Sequence, residues 1–159
     1  MRNSPSSPVS WRTLLLLVVI SLLGGCALHP VRNPNLQARI DPTKAEVVGS
    51  HLIDKNGAPH QAYFSSIDGT MPPHLAFDQT LKLWSLEPGR HAFTLGYFGV
   101  GDTGSAKSFS GAGSLAADLL AGHRYILKTR PAGGGQIVFY FEDMADGREV
   151  AVSGPVRLR

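Results

Sequence analysis

In His91-Ala92-Phe93-Thr94-Leu95-Gly96-Tyr97 the large apolar residues fall on every second position, and in Gln136-Ile137-Val138-Phe139-Tyr140-Phe141-Glu142 the set Ile137, Phe139 and Phe141 does the same. A period of two is the period of a strand with one face buried, so these triplets are expected to point inward. The same tendency to alternate extends outward in both directions. It predicts strands over 46–53, 61–67, 81–86, 91–98, 125–130, 136–142 and 148–152. Turn chemistry separates them: Asn56-Gly57, Asp68-Gly69, Pro88-Gly89, Gly133 to Gly135 and Asp146-Gly147 supply the backbone angles that reversals need. One stretch is ambiguous. Across 114–121, Leu115, Ala116, Ala117, Leu119 and Leu120 fit two helical turns or another strand.

About seven short strands with little helix predict an all-β fold, a small two-sheet sandwich over residues 38–159, immunoglobulin-like or prealbumin-like in kind. Two facing sheets would cover the apolar side of each. A small barrel is the alternative.

The first part of the chain has a different character. Arg2 and Arg12 lie in a polar start, an apolar run covers 14–23, and Gly24-Gly25 precedes Cys26, the single cysteine of the 159 residues. This order is that of a secretory signal. A helix over 13–23 would reach about 16 Å against roughly 30 Å of bilayer hydrocarbon, too short to span. Leu23-Gly24-Gly25-Cys26 resembles a bacterial lipobox, which implies removal of a signal peptide at 1–25 and acylation of the Cys26 thiol. Two or three acyl chains anchor almost permanently where one holds marginally. The resemblance further implies an outer-membrane address, because Ala27 stands where aspartate would retain the protein at the inner membrane. The domain would then face the periplasm. Residues 26–37 carry Pro30, Pro34 and two asparagines, and read as the lipidated cysteine and an extended tether that lifts the domain by as much as about 30 Å.

Two of the 15 basic residues leave with the leader, and the remainder nearly balance the 12 acidic ones. No basic stripe of the kind nucleic acid requires is present, so nucleic acid is excluded as a partner. One cysteine excludes an intramolecular disulfide, leaving apolar burial to hold the core.

Through Ile67-Asp68-Gly69, Leu86-Glu87-Pro88-Gly89-Arg90-His91, Gly122-His123-Arg124-Tyr125 and Asp143 with Asp146-Gly147, the chain resembles small envelope lipoproteins. Its middle part, 61–98, is similar to PEGA-type modules, sandwich-like domains in which an Asp-Gly turn precedes a Pro-Gly-x-His turn. The tetrapeptide that names those modules is absent here, and 99–113 is an irregular Gly/Ser stretch. The resemblance implies a fold and an envelope role rather than a reaction.

Candidate chemistry is sparse. Gly99-Val-Gly101-Asp-Thr-Gly104 has the letters of a dinucleotide loop and follows a predicted strand, but 105–113 does not read as the helix whose N-terminus would meet a pyrophosphate. It reads as a hairpin loop, and no cofactor is expected. His29, His51, His60, His74, His91 and His123 show no metal-ligand spacing. His91 and His123 each follow a turn glycine at a strand start, where imidazole can fix the turn. Glu142, Asp143 and Asp146 are the densest acids, but not in a calcium-loop spacing, and adjacent Glu142 and Asp143 would face opposite ways. No Gly-x-Ser-x-Gly elbow occurs, and Ser110 to Ser114 reads as loop. Trp84, Tyr63, Tyr97, Tyr125 and Tyr140 could line a sugar-binding face, although most aromatics at strand spacing belong to the core; Trp84 and Tyr140, which alternate against the inward sets, are the ones expected to face a ligand. The chain is thus expected to be no enzyme but an interaction or structural module, held at the membrane through Cys26 with an envelope protein as partner. A peptidoglycan- or glycan-binding role is the alternative.

Overall fold

A computed structural model describes residues 29–71, 81–101 and 107–159. Among them are eleven strands, one 3-10 turn at Pro34–Gln37 and no α-helix. The strands are β1 (His29–Pro30), β2 (Ala45–Val48), β3 (Ser50–Ile53), β4 (Pro59–Ile67), β5 (Leu83–Leu86), β6 (Gly89–Val100), β7 (Ser108–Leu119), β8 (Arg124–Gly133), β9 (Gln136–Asp143), β10 (Glu149–Val152) and β11 (Val156–Arg157). They form two sheets, ordered β1-β3-β4-β6-β7 and β10-β9-β8-β2-β5, with β11 also pairing β9. All neighbours are antiparallel except β2 with β8. The chain is an all-β two-sheet sandwich.

Both opening triplets face the core as expected. Phe93, Leu95, Tyr97, Ile137, Phe139 and Phe141 are all buried between the sheets. Phe141 sits edge-on to Phe93, 4.9 Å between ring centres, within 6.0 Å of Phe64 and 6.4 Å of Tyr125. Edge-to-face rings at these distances add to the area they bury.

Four readings of the sequence need correction. Residues 46–53 are not one strand, because the chain changes sheets at Gly49: β2 pairs with β5 and β8, β3 with β1 and β4. Such corners close one side of a sandwich, and with apolar pairs on both sides of it, Val47-Val48 and Leu52-Ile53, a single glycine does not by itself mark the break.

The end of the glycine-rich stretch read as loop, including Ser110 to Ser114, is the first part of β7, and the ambiguous 114–121 is its continuation as far as Leu119. Leu115, Ala117 and Leu119 are buried while Ala116 and Asp118 are exposed, which is strand periodicity. Gly111 and Gly113 continue this inward face. A Cβ at Gly113 would lie 2.7 Å from Val156 Cγ2, and one at Gly111 would lie 3.0 Å from Leu158 Cδ2. These glycines admit the C-terminal segment, where the Leu158 amide donates to the Gly135 carbonyl and Arg159 exchanges both main-chain bonds with Ser110. Residues 156–159 thereby bridge β9 and β7 on the side opposite the Gly49 corner.

The predicted tether is also packed from His29 onward. β1 extends the first sheet beside β3, and the Val31 amide donates to the His51 carbonyl. Asn33 is buried, donating to the Leu81 carbonyl and accepting from the Asn35 amide. Composition gave no sign of this, because the docking uses main-chain and amide groups rather than apolar side chains. Finally, Trp84 does not face outward: with Leu86 it packs against the core, its Nε1 buried without a hydrogen-bond partner among the described residues, and Lys82 Nζ lies 4.2 Å from its ring centre.

Candidate functional site

Cys26, His74 and residues 102–106 of the glycine loop lie outside the described residues. At the ends of that loop, the Gly101 amide donates to the Lys107 carbonyl, which makes it the connection of the β6–β7 hairpin. Tyr140 faces outward from β9, half-buried, with the Arg130 guanidinium 5.2 Å from its ring centre. Arg130 itself pairs with Glu149, and the neighbouring Lys128 with Glu142.

His91 ties two turns together. Asp68 adopts φ 51° and precedes Gly69 at φ 75°, the tight reversal expected of Asp-Gly. Its Oδ1 accepts from the Ala92 amide and its Oδ2 lies 2.6 Å from His91 Nδ1, while His91 Nε2 is 2.7 Å from the Glu87 carbonyl. Both ring nitrogens face acceptors, so only the imidazolium can donate to both. Burial pulls the His91 pKa down, but the Asp68 carboxylate and Glu87 carbonyl together outweigh it, leaving the pKa above the ordinary histidine value. The Ala92 amide and then His91 hold the Asp68 carboxyl below its usual value.

The stabilisation from His91 is full below the unfolded histidine pKa of about 6.5 and is lost as pH rises through the higher folded value. That from Asp68 is present above about 3.9 and is lost as pH falls through its lowered value. The difference in Tm between the wild type and Asp68→Asn is therefore expected to be greatest near pH 5 and to shrink towards pH 8. An unchanging difference over that range would contradict the ion pair.

His123 bonds to a side-chain carboxylate. Its Nδ1 lies 2.6 Å from Oδ2 of Asp143, which is 1% exposed and whose Oδ1 accepts from the Ala145 amide. Asp143 points inward and Glu142 outward to Lys128, the opposite facing that adjacent strand residues impose. At the β3–β4 end, Tyr97 Oη is 2.7 Å from His60 Nδ1. Burial raises the Tyr97 pKa. The three histidines thus sit at separate places in the sandwich. Among the described residues no group of three or more His, Cys, Asp or Glu is placed to hold a metal ion.

Arg124, to which the sequence reading assigns no role, makes four side-chain hydrogen bonds. It is 4% exposed and donates from Nε and Nη2 to Oε2 of Glu46, at 2.8 and 2.5 Å, from Nη1 to the Leu36 carbonyl at 2.7 Å, and from Nη2 to the Ala38 carbonyl at 3.0 Å. Glu46 and Arg124 are opposite partners of the parallel β2–β8 pair. They point away from the core, and the 36–38 segment caps them, so this clamp locks the N-terminal segment onto the second sheet.

Two accessible features remain, both at β7. The first is its edge. Ser110 directs its main-chain groups away from β6 to Arg159, and alternation places those of Ala112, Ser114 and Ala116 on the same open side. No backbone partner meets these three there among the described residues. The strand has no proline, no lysine and no register shift against β6, the usual devices that blunt an edge. The second is a cleft of about 600 Å³ beside it, lined by Tyr63, Ser65, Gly96, Ser110, Arg157 and Arg159 among others. A Cβ at Gly96 would lie 2.6 Å from Tyr63 Oη and closer to the ring carbons, so the ring lies directly on the Gly96 backbone.

No protein-family model, curated protein or solved structure matches the chain. Sequence reasoning missed the clamp, the edge and the cleft. For the cleft the sequence offered two signals, Tyr63 among the strand aromatics able to stack on a sugar and Gly96 in an otherwise apolar strand, which marks a close approach.

Proposed function

We propose that this protein is a lipid-anchored envelope protein, acylated at Cys26 and facing the periplasm from the outer membrane. Its sandwich acts as a non-enzymatic interaction module that accepts an extended segment of a protein partner along β7. The open side of β7 carries this reading: main-chain groups of three consecutive outward positions are free for strand addition, in which backbone bonds supply affinity and alternate side chains supply specificity. His60, His91 and His123 support it too, since these three bond at separate places rather than gathering in one pocket.

The docked segment sets the geometry of the anchor. From Cys26 to His29 there are three residue steps, about 10 Å of fully extended chain. Acyl chains on Cys26 would therefore hold the sandwich close against the membrane surface instead of on a long leash. Globomycin treatment that leaves processing unaltered, with no acyl label on Cys26, would remove the anchor from this account.

Strand addition predicts a specific outcome for proline on the open side. Proline is tolerated on an edge where its missing N–H faces solvent, so Ser114→Pro is expected to keep the fold and a near wild-type Tm. It should remove the partner adduct recovered by crosslinking in cells, whereas Ser114→Ala should retain it. An adduct that survives Ser114→Pro unchanged counts against the edge. Glycan binding is the second reading, and the Tyr63 cleft is the observation that favours it.

A further inference from the structure

We infer that the cleft over Gly96 is a binding site for a saccharide bearing a carboxylate, with Tyr63 as the stacking platform and Arg157 and Arg159 as the anion-recognising groups. This inference rests on the glycan-binding reading and gives it a site. The cavity volume, about 600 Å³, falls in the range of small-ligand sites. Its chemistry is divided as a sugar requires. Tyr63 offers a ring that is half-buried and held by the strand beneath it, because Gly96 has no side chain to lift it away. Apolar faces of sugar rings stack on such surfaces, and a fixed ring loses little freedom on binding.

Ser65, Ser110, Arg157 and Arg159 line the same cleft, and no aspartate or glutamate is among its lining residues. Both arginines are exposed, and neither side chain has a hydrogen-bond or ion-pair partner among the described residues. By contrast Arg90, Arg124, Arg130 and Arg148 are each paired with an acid. A guanidinium is built for bidentate capture of a carboxylate, and two on one rim select an acidic ligand over a neutral one. Their positions are fixed from the backbone: Arg157 pairs with Gln136 in the β9–β11 ladder, and Arg159 pairs with Ser110.

The test is calorimetric titration of the full-length mature protein in detergent with three tetrasaccharides. One alternates N-acetylglucosamine with N-acetylmuramic acid, one alternates N-acetylglucosamine with glucuronic acid, and chitotetraose is the neutral counterpart. Binding of the acidic sugars at least tenfold tighter than chitotetraose is expected, with preference between them separating wall glycan from other acidic polysaccharide. Arg157→Gln/Arg159→Gln and Tyr63→Leu should each weaken the acidic sugars by tenfold or more. Arg32→Gln/Arg39→Gln, the same loss of charge at exposed arginines elsewhere, should leave binding unchanged.

Equal affinity for neutral and acidic sugars, or equal loss in the two arginine double variants, overturns the site. Retention on purified sacculi separates the two claims. If wild type and Arg157→Gln/Arg159→Gln are retained alike, glycan binding stands and the cleft falls. If neither sacculi nor tetrasaccharides are bound, both fall.

Discussion

Arg124→Met is expected to destabilise the protein by about 3–5 kcal/mol, because it leaves the Glu46 carboxylate buried without its counter-charge. Glu46 is 6% exposed and its Oε2 receives two of the four hydrogen bonds that Arg124 donates. The loss also orphans the Leu36 and Ala38 carbonyls, freeing the segment that the guanidinium caps. In a domain of this size the corresponding fall in Tm is on the order of 10 °C. The double variant Glu46→Met/Arg124→Met separates the two contributions. Removing both charges abolishes the uncompensated ion, so it should recover much of the lost stability. The freed segment should not redock, since the carbonyls of Leu36 and Ala38 still lack donors. Thermal unfolding of the single and double variants checks the first point. A single variant within 1 kcal/mol of wild type would mean that the pair is solvated rather than buried.

Phe141→Ala should cost a similar amount, about 3–5 kcal/mol, for a different reason. Phe141 is fully buried and is the ring on which the two sheets meet: Phe64 and Phe93 approach it from β4 and β6, and Tyr125 from β8. Deleting it removes apolar contact from both sheets at once and leaves a cavity walled by strands that cannot collapse without breaking their ladders. Denaturant unfolding measures this. Phe141→Leu, which keeps much of the volume, should lose markedly less. Equal losses for the two substitutions would show that volume at this position is not what matters.

The parts of the fold that were legible in the sequence are those where one residue type does one job. Phe93, Leu95 and Tyr97, like Ile137, Phe139 and Phe141, announce their face by spacing alone, and Asp68-Gly69 announces its reversal by the backbone angles it tolerates. His91 was readable from its place after a turn glycine. β7 was not, because its inward positions 111 and 113 are glycine for the sake of the C-terminal segment packed on them, and glycine carries no hydrophobic period. The switch of sheets at Gly49 lies between two apolar pairs, Val47-Val48 and Leu52-Ile53, and one glycine there reads as part of a single strand. Arg124 reads as an ordinary surface residue until residues 36 and 38, 88 and 86 positions earlier, are seen to cover it. Trp84 misled for a related reason. Its outward expectation rests on inward sets that belong to β6 and β9, whereas its face is set by β2, where it stands opposite the core residue Val47. Local patterns report faces, and the pieces that define a site here are brought together by long-range pairing.

Amide hydrogen exchange across residues 29–38 of the full-length mature protein tests most directly whether the sandwich is carried rigidly on its N-terminal segment. Slow exchange is expected at Val31, whose amide is bonded to the His51 carbonyl, and at Asn35, bonded to Asn33, with protection at both falling in Arg124→Met. Exchange at free-chain rates throughout 29–38 of the wild type, no faster in the variant, would contradict it.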